Sequence, residues 1–242
     1  MTKYQFIPKA KSGKRWAIAD IHGCCKTFKT LIDKIALTQD DQLFLLGDYI
    51  SRGPHSVGVI DFILELQNNQ YQVFPLKGNH EDMLLKSHLN ASETNEIPLP
   101  SKLKRRKGLI DEMGRVLDKY IHFFENLRYY YETDDFYMVH AGFNLRNDSN
   151  PLEDYHKMMW LMRPNNEYEL AEFTRKKLVH GHFSTTLSEI REKIEEESSV
   201  IPLDNGCYKC LTSPENNEFG NLCALNLDNM EFVVQKNVDM KD

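Results

Sequence analysis

Three short apolar runs near the N-terminus each end in a polar cluster and lead into residues with apolar positions at helical spacing, a pattern of strand, loop and helix repeated. In the first, Arg15 to Ala19 reads as a strand, Asp20 to Gly23 as its exit loop, and Phe28, Leu31, Ile32 and Ile35 as one helical face. In the second, Gln42 to Leu46 is the strand and Gly47 to Pro54 the loop. Val59, Ile60, Ile63, Leu64 and Leu66 then form the buried side of a helix that Pro54 is placed to begin. In the third, Tyr71 to Leu76 passes through Lys77 to His80 into a helix from about Glu81 to Leu89. Asn90 to Pro100 reads as a loop, since Pro98 and Pro100 interrupt any regular element, and a helical insertion is expected around residues 86–125. Strands return at Phe136 to Val139, Lys177 to Val179, Val200 to Leu203, Leu222 to Asn226 and Phe232 to Gln235. No repeat or linker divides the chain, so the expectation is one α/β domain over residues 1–242.

Composition narrows the class without changing that picture. The 242 residues are 41% hydrophobic and 27% charged, as in an ordinary globular protein. A net charge of -6 argues against a chain that grips nucleic acid, which needs a basic excess. The basic run Lys102 to Lys107 and the acidic run Glu192 to Glu197 read as solvated helix faces rather than docking patches. No apolar run is long enough to span a bilayer and the first residues lack a signal-peptide core, so a cytoplasmic protein without a membrane partner is expected, and its charged surface without an obvious apolar patch makes a monomer the default. Five cysteines, two of them adjacent at Cys24 and Cys25, imply reduced thiols; Cys207 and Cys210 have CxxC spacing but no second pair to complete a zinc site, and read as small residues packed near a turn.

The chemistry sits where the strands end. Asp20 and His22 follow the first strand, Asp48 the second, and Asn79 and His80 the third; His140 follows FYMV, and His180 and His182 follow KLV. Loops at the C-terminal ends of strands converge in such folds, so these side chains are expected to meet. Carboxylate, imidazole and amide donors without thiolate suit manganese or iron better than a structural zinc. With two ions close together one carboxylate must bridge, and Asp48, in the middle loop, is the candidate.

The motifs DIHG at Asp20 to Gly23, GDYISRG at Gly47 to Gly53, GNHE at Gly78 to Glu81, HAG at His140 to Gly142 and HGH at His180 to His182 occur in that order. Together they resemble the calcineurin-like metallophosphoesterases, and more narrowly the bacterial and phage serine/threonine phosphoprotein phosphatases. The Asp204-Asn205-Gly206-Cys207 turn and closing strand pair resemble that group too. The resemblance implies a central mixed β-sandwich flanked by helices. It also implies two divalent ions, manganese first and iron or zinc otherwise, with Asp20, His22 and Asp48 around one and Asp48, Asn79, His140 and His182 around the other. His180 is left as a structural or supporting residue. A hydroxide bridging the ions is expected to attack phosphorus in line. The resemblance casts His80 as general acid and Arg52 as phosphate clamp, with Arg163 a second clamp if it is more than an ordinary surface arginine.

This sequence departs from the family loop at Ser51, where relatives carry an aspartate that pairs with the acid histidine. A hydroxyl orients an imidazole but carries no charge, so His80 is expected to be a weaker proton donor. The leading expectation is a protein serine/threonine phosphatase acting on a phosphoprotein or phosphopeptide. The alternatives are a dinucleoside polyphosphate hydrolase with a nucleotide substrate, or a catalytically impaired binding protein. Substrate choice is expected to lie in Lys86 to Tyr120 and Asn144 to Asn165.

Overall fold

The structure, a computed structural model, describes residues 2–94, 108–112, 115–146, 150–211 and 217–239. Its strands are β1 (Tyr4–Phe6), β2 (Arg15–Ile18), β3 (Gln42–Leu45), β4 (Gln72–Pro75), β5 (Tyr130–Glu132), β6 (Phe136–Val139), β7 (Lys177–His180), β8 (Val200–Pro202), β9 (Asn221–Asn226) and β10 (Phe232–Lys236). The helices are α1 (Cys25–Lys34), α2 (Ser56–Asn68), α3 (Asn79–Thr94), α4 (Asp118–Asn126), α5 (Tyr155–Trp160), α6 (Glu167–Phe173) and α7 (Leu187–Glu195). The strands form two five-stranded sheets, in the orders β1-β5-β6-β7-β8 and β10-β9-β2-β3-β4. Both are mixed: β2, β3 and β4 run parallel, as do β6, β7 and β8, while β9 and β5 run antiparallel to β2 and β6.

The two-residue period of each strand divides its side chains between two cores. Trp16, Ile18, Leu43 and Leu45 pack with Phe28, Leu31, Val59 and Ile60 of α1 and α2. The intervening Ala17 and Phe44 pack instead with Met138, Val179 and Ile201 of the other sheet, so this second core lies between the sheets. On the far side Val139, Leu178 and Val200 join Phe143, Met158 and Leu170 beneath α5 and α6. This helix–sheet–sheet–helix sandwich agrees with the expected architecture. Strands buried on both faces also explain why the chain shows apolar runs rather than alternation.

Three expectations change. α3 begins at Asn79 rather than Glu81, placing Asn79 and His80 in its first turn, where Glu81 and Asp82 complement the positive end of the helix. It continues to Thr94, so the first part of the expected Asn90 to Pro100 loop is helical; the remainder, and Lys102 to Lys107, lie outside the described residues. Strands β1 and β5 went unread because three residues are too short for periodicity; they pair parallel, with Tyr4 stacked on Tyr130 at 4.9 Å. Glu192 to Glu197 sits at the C-terminal end of α7, and the run is partly or fully exposed, as a solvated face should be. Cys207 and Cys210 lie in a 3-10 turn, and all five cysteines are free thiols.

One ion pair anchors the sheet that bears the first site loops. Asp228 accepts from the Arg15 backbone N–H at 2.8 Å and from its Nε and Nη2 at 3.0 and 2.9 Å, while the Arg15 side chain is 4% exposed. Hydrogen bonds from Lys9 and Arg15 outweigh burial and hold the Asp228 carboxyl below its usual range. Asp228→Asn should therefore cost about 2 kcal/mol near neutral pH, less than a fully buried pair because Asp135 stands 3.5 Å from Arg15. A depressed folded pKa adds stability above the unfolded value and loses it as pH falls through the folded one. Urea midpoints of wild type and variant should accordingly differ at pH 7 and converge below about pH 4.

Candidate metal centre

The loops at the strand ends are stitched to one another before any side chain is considered. The His22 N–H donates to the Asp48 carbonyl at 2.8 Å, Gly23 N–H to Tyr49 at 2.8 Å, and Gly53 N–H returns to His22 at 2.7 Å. In the other sheet, where the paired strands β6 and β7 end, Gly181 N–H donates to the His140 carbonyl at 2.8 Å. Holding these loops requires left-handed backbone at His22, Asp48, Ser51, Arg52 and His182, with φ of 49°, 53°, 72°, 70° and 66°. Such conformations cost side-chain-bearing residues on the order of 1 kcal/mol or more each and collect at functional sites. Two glycines leave room for the carboxylates. A β-carbon on Gly78 would stand 2.2 Å from Asp48 Oδ1, and one on Gly181 would stand 2.1 Å from Asp20 Oδ1.

Asp48 is the hub. Its carboxylate lies 3.7 Å from His22 Nε2, 3.9 Å from His80 Nε2 and 3.6 Å from His140 Nε2. Asp20 Oδ2 stands 3.9 Å from His22 Nε2, and both Asp20 oxygens accept from the His182 N–H at 3.1 and 3.2 Å. Two groups with metal-ligand spacing result, His22–Asp48–His80 and Asp48–His140–His182, sharing Asp48. Asn79 belongs beside the second, its amide oxygen 3.0 Å from His140 Nε2.

The donor set fits divalent cations on three counts. The histidine rings are neutral: burial, then repulsion from His80, lowers His22 to about 3, and burial, then the His182 ring, holds His140 well below its usual range. His22 Nδ1 lies 3.1 Å from the Ile50 carbonyl and His140 Nδ1 2.8 Å from that of Leu46; carbonyls only accept, so these nitrogens carry the protons and each Nε2 presents a lone pair to Asp48. The Asn79 amide adjoins the same point, one of its polar atoms 3.1 and 3.0 Å from the two Asp48 oxygens; its NH2 can donate to them when no cation is bound, and its oxygen would turn inward as a ligand when one is. Finally, burial, then the Asp204 and Asp48 charges, raises Asp20 well above the carboxylate range, and burial, then Glu81, does the same to Asp48. Divalent cations reverse that logic and keep such carboxylates ionised.

The structure thus brings together Asp20, His22, Asp48, Asn79, His80, His140 and His182. Arg52 is exposed at the rim, its guanidinium 4.9 Å over the Tyr208 ring. Ser51 is half-buried beside it; its N–H donates to Ser56 Oγ at 3.0 Å, and among the described residues no hydrogen bond joins Ser51 to His80. Arg163 is held by Glu169 at 2.7 Å. His180 is buried one strand end away, with Nδ1 3.0 Å from the Gly181 carbonyl.

Two residues escaped the sequence reading. Glu81 is fully buried and accepts from the backbone N–H groups of Asp48 (3.0 Å), Tyr49 (2.9 Å), Ile50 (3.2 Å) and Gly78 (3.1 Å). Its place right after Gly78-Asn79-His80, at a helix start, was the available signal. Tyr208 meets the His22 ring edge-on at 4.9 Å and underlies Arg52, and nothing local in the sequence marks it.

Facing mixed sheets whose loops gather carboxylate, imidazole and amide donors in this way make a candidate two-ion centre. The chain belongs to the calcineurin-like phosphoesterase family, which it matches over residues 13–223. A symmetrical bis(5'-nucleosyl)-tetraphosphatase from Nitrosospira multiformis is 30% identical over 128 residues, covering 52% of this chain and 42% of that protein. An asymmetrical bis(5'-nucleosyl)-tetraphosphatase from Bacillus mycoides is 28% identical over 137 residues, covering 52% and 56%. The match therefore spans about half of each relative's length. Among solved structures, one described as a candidate diadenosine tetraphosphatase superposes with a TM-score of 0.67 at 17% identity, covering 97% of both chains, a likeness of fold.

Proposed function

We propose that this chain hydrolyses dinucleoside polyphosphates, with Asp20, His22, Asp48, Asn79, His140 and His182 holding two divalent ions, manganese foremost. When bound, such ions supply an activated water and neutralise phosphoryl oxygens. Arg52, steadied over Tyr208, presents a planar guanidinium suited to two phosphate oxygens at once.

The observation that carries the choice of substrate is the environment of His80, in a chain with serine rather than a carboxylate at position 51. Burial, then the Arg52 and His182 charges, lowers His80 to about 4, and no carboxylate at position 51 opposes them. His80 is therefore a neutral ring near pH 7 and a poor proton donor. A serine or threonine alkoxide leaves slowly without a proton. A nucleoside phosphate leaving group, whose own second pKa is about 6, needs none. A weak acid at this position thus suits an anhydride better than a phosphoprotein. The relatives named for dinucleoside tetraphosphates support the same reading, which displaces protein phosphatase as the leading expectation.

Manganese-loaded protein assayed on diadenosine tetraphosphate and on a phosphoserine peptide tests the proposal: kcat/KM should favour the dinucleotide, and a preference for the peptide would sink it. Ser51→Asp should restore a charged partner to His80. It should raise the peptide-to-dinucleotide rate ratio about tenfold or more, the low end of what general acid catalysis supplies. An unchanged ratio would remove Ser51 from the argument.

A further inference from the structure

A cleft of about 1340 Å³ opens beside the metal centre, between α6, α7 and the loop after His182. Phe183 and Ser184 line it, so its lining begins one residue after His182, and the Phe183 ring meets the His182 ring at 4.7 Å. Leu145, Pro164 and Pro202 give it flat apolar walls, with Tyr168 at the rim. His180 also lines the cleft, although the residue is 1% exposed, and its Nε2 has no hydrogen-bond partner. A buried nitrogen left unpaired costs free energy unless something supplies its bond. Since Nδ1 faces the Gly181 carbonyl and so carries the ring proton, Nε2 is an acceptor awaiting a donor.

The charge around the cleft selects among donors. Its carboxylates are largely committed: Glu169 holds Arg163 and Arg146, Glu167 meets Lys193 at 3.5 Å and Ser198 at 2.5 Å, and Glu189 caps α7 through Thr186. Glu172 and Glu192 remain at the rim, which disfavours phosphate and suits a group that brings a hydrogen-bond donor. A neutral, flat group with an amine on its edge fits best.

We infer that this cleft binds an amino-bearing nucleobase, adenine above all, of a substrate whose phosphates lie at the metal centre, with the exocyclic amine donating to His180 Nε2 and the ring lying against Phe183. The inference rests on the dinucleotide reading for its substrate but not for its binding site. His180→Phe removes both ring nitrogens and keeps the aromatic volume; His180→Gln places an amide where Nε2 stands. With manganese present, kcat/KM should be measured on diadenosine tetraphosphate and on inorganic tripolyphosphate, which keeps the anhydride and lacks the base. Adenosine and inosine binding should be measured by calorimetry.

The ratio of the two kcat/KM values should fall about tenfold in His180→Phe, mainly through KM, and recover substantially in His180→Gln. Adenosine should bind wild type more tightly than inosine, in which a carbonyl replaces the amine, and His180→Phe should lose that preference. Should His180→Phe misfold, Tyr168→Ala at the 74%-exposed rim should lower the same ratio severalfold. Adenosine binding without dinucleotide cleavage would keep the cleft and overturn the proposed function. Cleavage with no dependence of adenosine binding on His180 would keep the function and overturn the cleft. Transfer of the His180 dependence to an arginine-flanked phosphopeptide would also overturn the nucleobase.

Discussion

Asp48→Asn should lower phosphoesterase activity by more than the roughly 10–100-fold typical of losing a partner that merely orients a metal ligand. Asp48 belongs to both metal-capable groups, so its charge is the one whose loss would reach both proposed ions. The substitution isolates that charge. Asparagine has the same shape, and it is among the few side chains that tolerate the left-handed backbone of position 48, where φ is 53°. Without metal the variant should be no less stable than wild type, because burial and the Glu81 charge penalise the ionised Asp48 carboxylate. With manganese, wild type should gain thermal stability by mass action and the variant much less. Calorimetric titration and melting with and without manganese check this independently of turnover. Two equivalents bound at wild-type affinity would overturn the role of Asp48.

How far such a site can be read from sequence depends on which forces are local. The strands β2, β3, β6 and β7 were legible because both faces are buried, making each a run such as QLFL or FYMV between polar loops. Strands β1 and β5 were not, since their stability comes from pairing with each other and from the Tyr4–Tyr130 stack across 126 positions of sequence. Among site residues, the ligand-capable side chains stood out because several strand ends carried them in order. Glu81 was seen as a motif letter and given no work, because three of its partners are backbone N–H groups of another segment, Asp48 to Ile50, brought to it only by the fold. The free nitrogen of His180 was equally invisible, since it follows from what is missing around a buried ring. Ser51 alone ran the other way. Its departure shows only against the family loop, and its N–H, donated to Ser56 Oγ, would not have marked it.

Glu81→Gln should be the most damaging substitution outside the metal ligands. The Glu81 carboxylate offers two oxygens to N–H donors from Asp48, Tyr49, Ile50 and Gly78, which ties the second site loop to the start of α3. Burial pushes its carboxyl up to about 7, against the pull of those donors. An amide has one acceptor, so its NH2 must face N–H groups that have no water to turn to. Unsatisfied buried donors around a site that held an anion cost about 3–5 kcal/mol. That loss should appear in the urea midpoint whether or not metal is present, unlike the metal-dependent loss expected at Asp48. The same rearrangement displaces Asp48, whose own N–H is one of the released donors, and the first turn of α3, which carries Asn79 and His80. Manganese affinity should therefore fall with stability. Glu81→Asp keeps the charge but shortens the reach, and should recover part of the stability while leaving the ligands misplaced. A Glu81→Gln variant that unfolds at the wild-type urea concentration would show that the loops hold their geometry without this carboxylate.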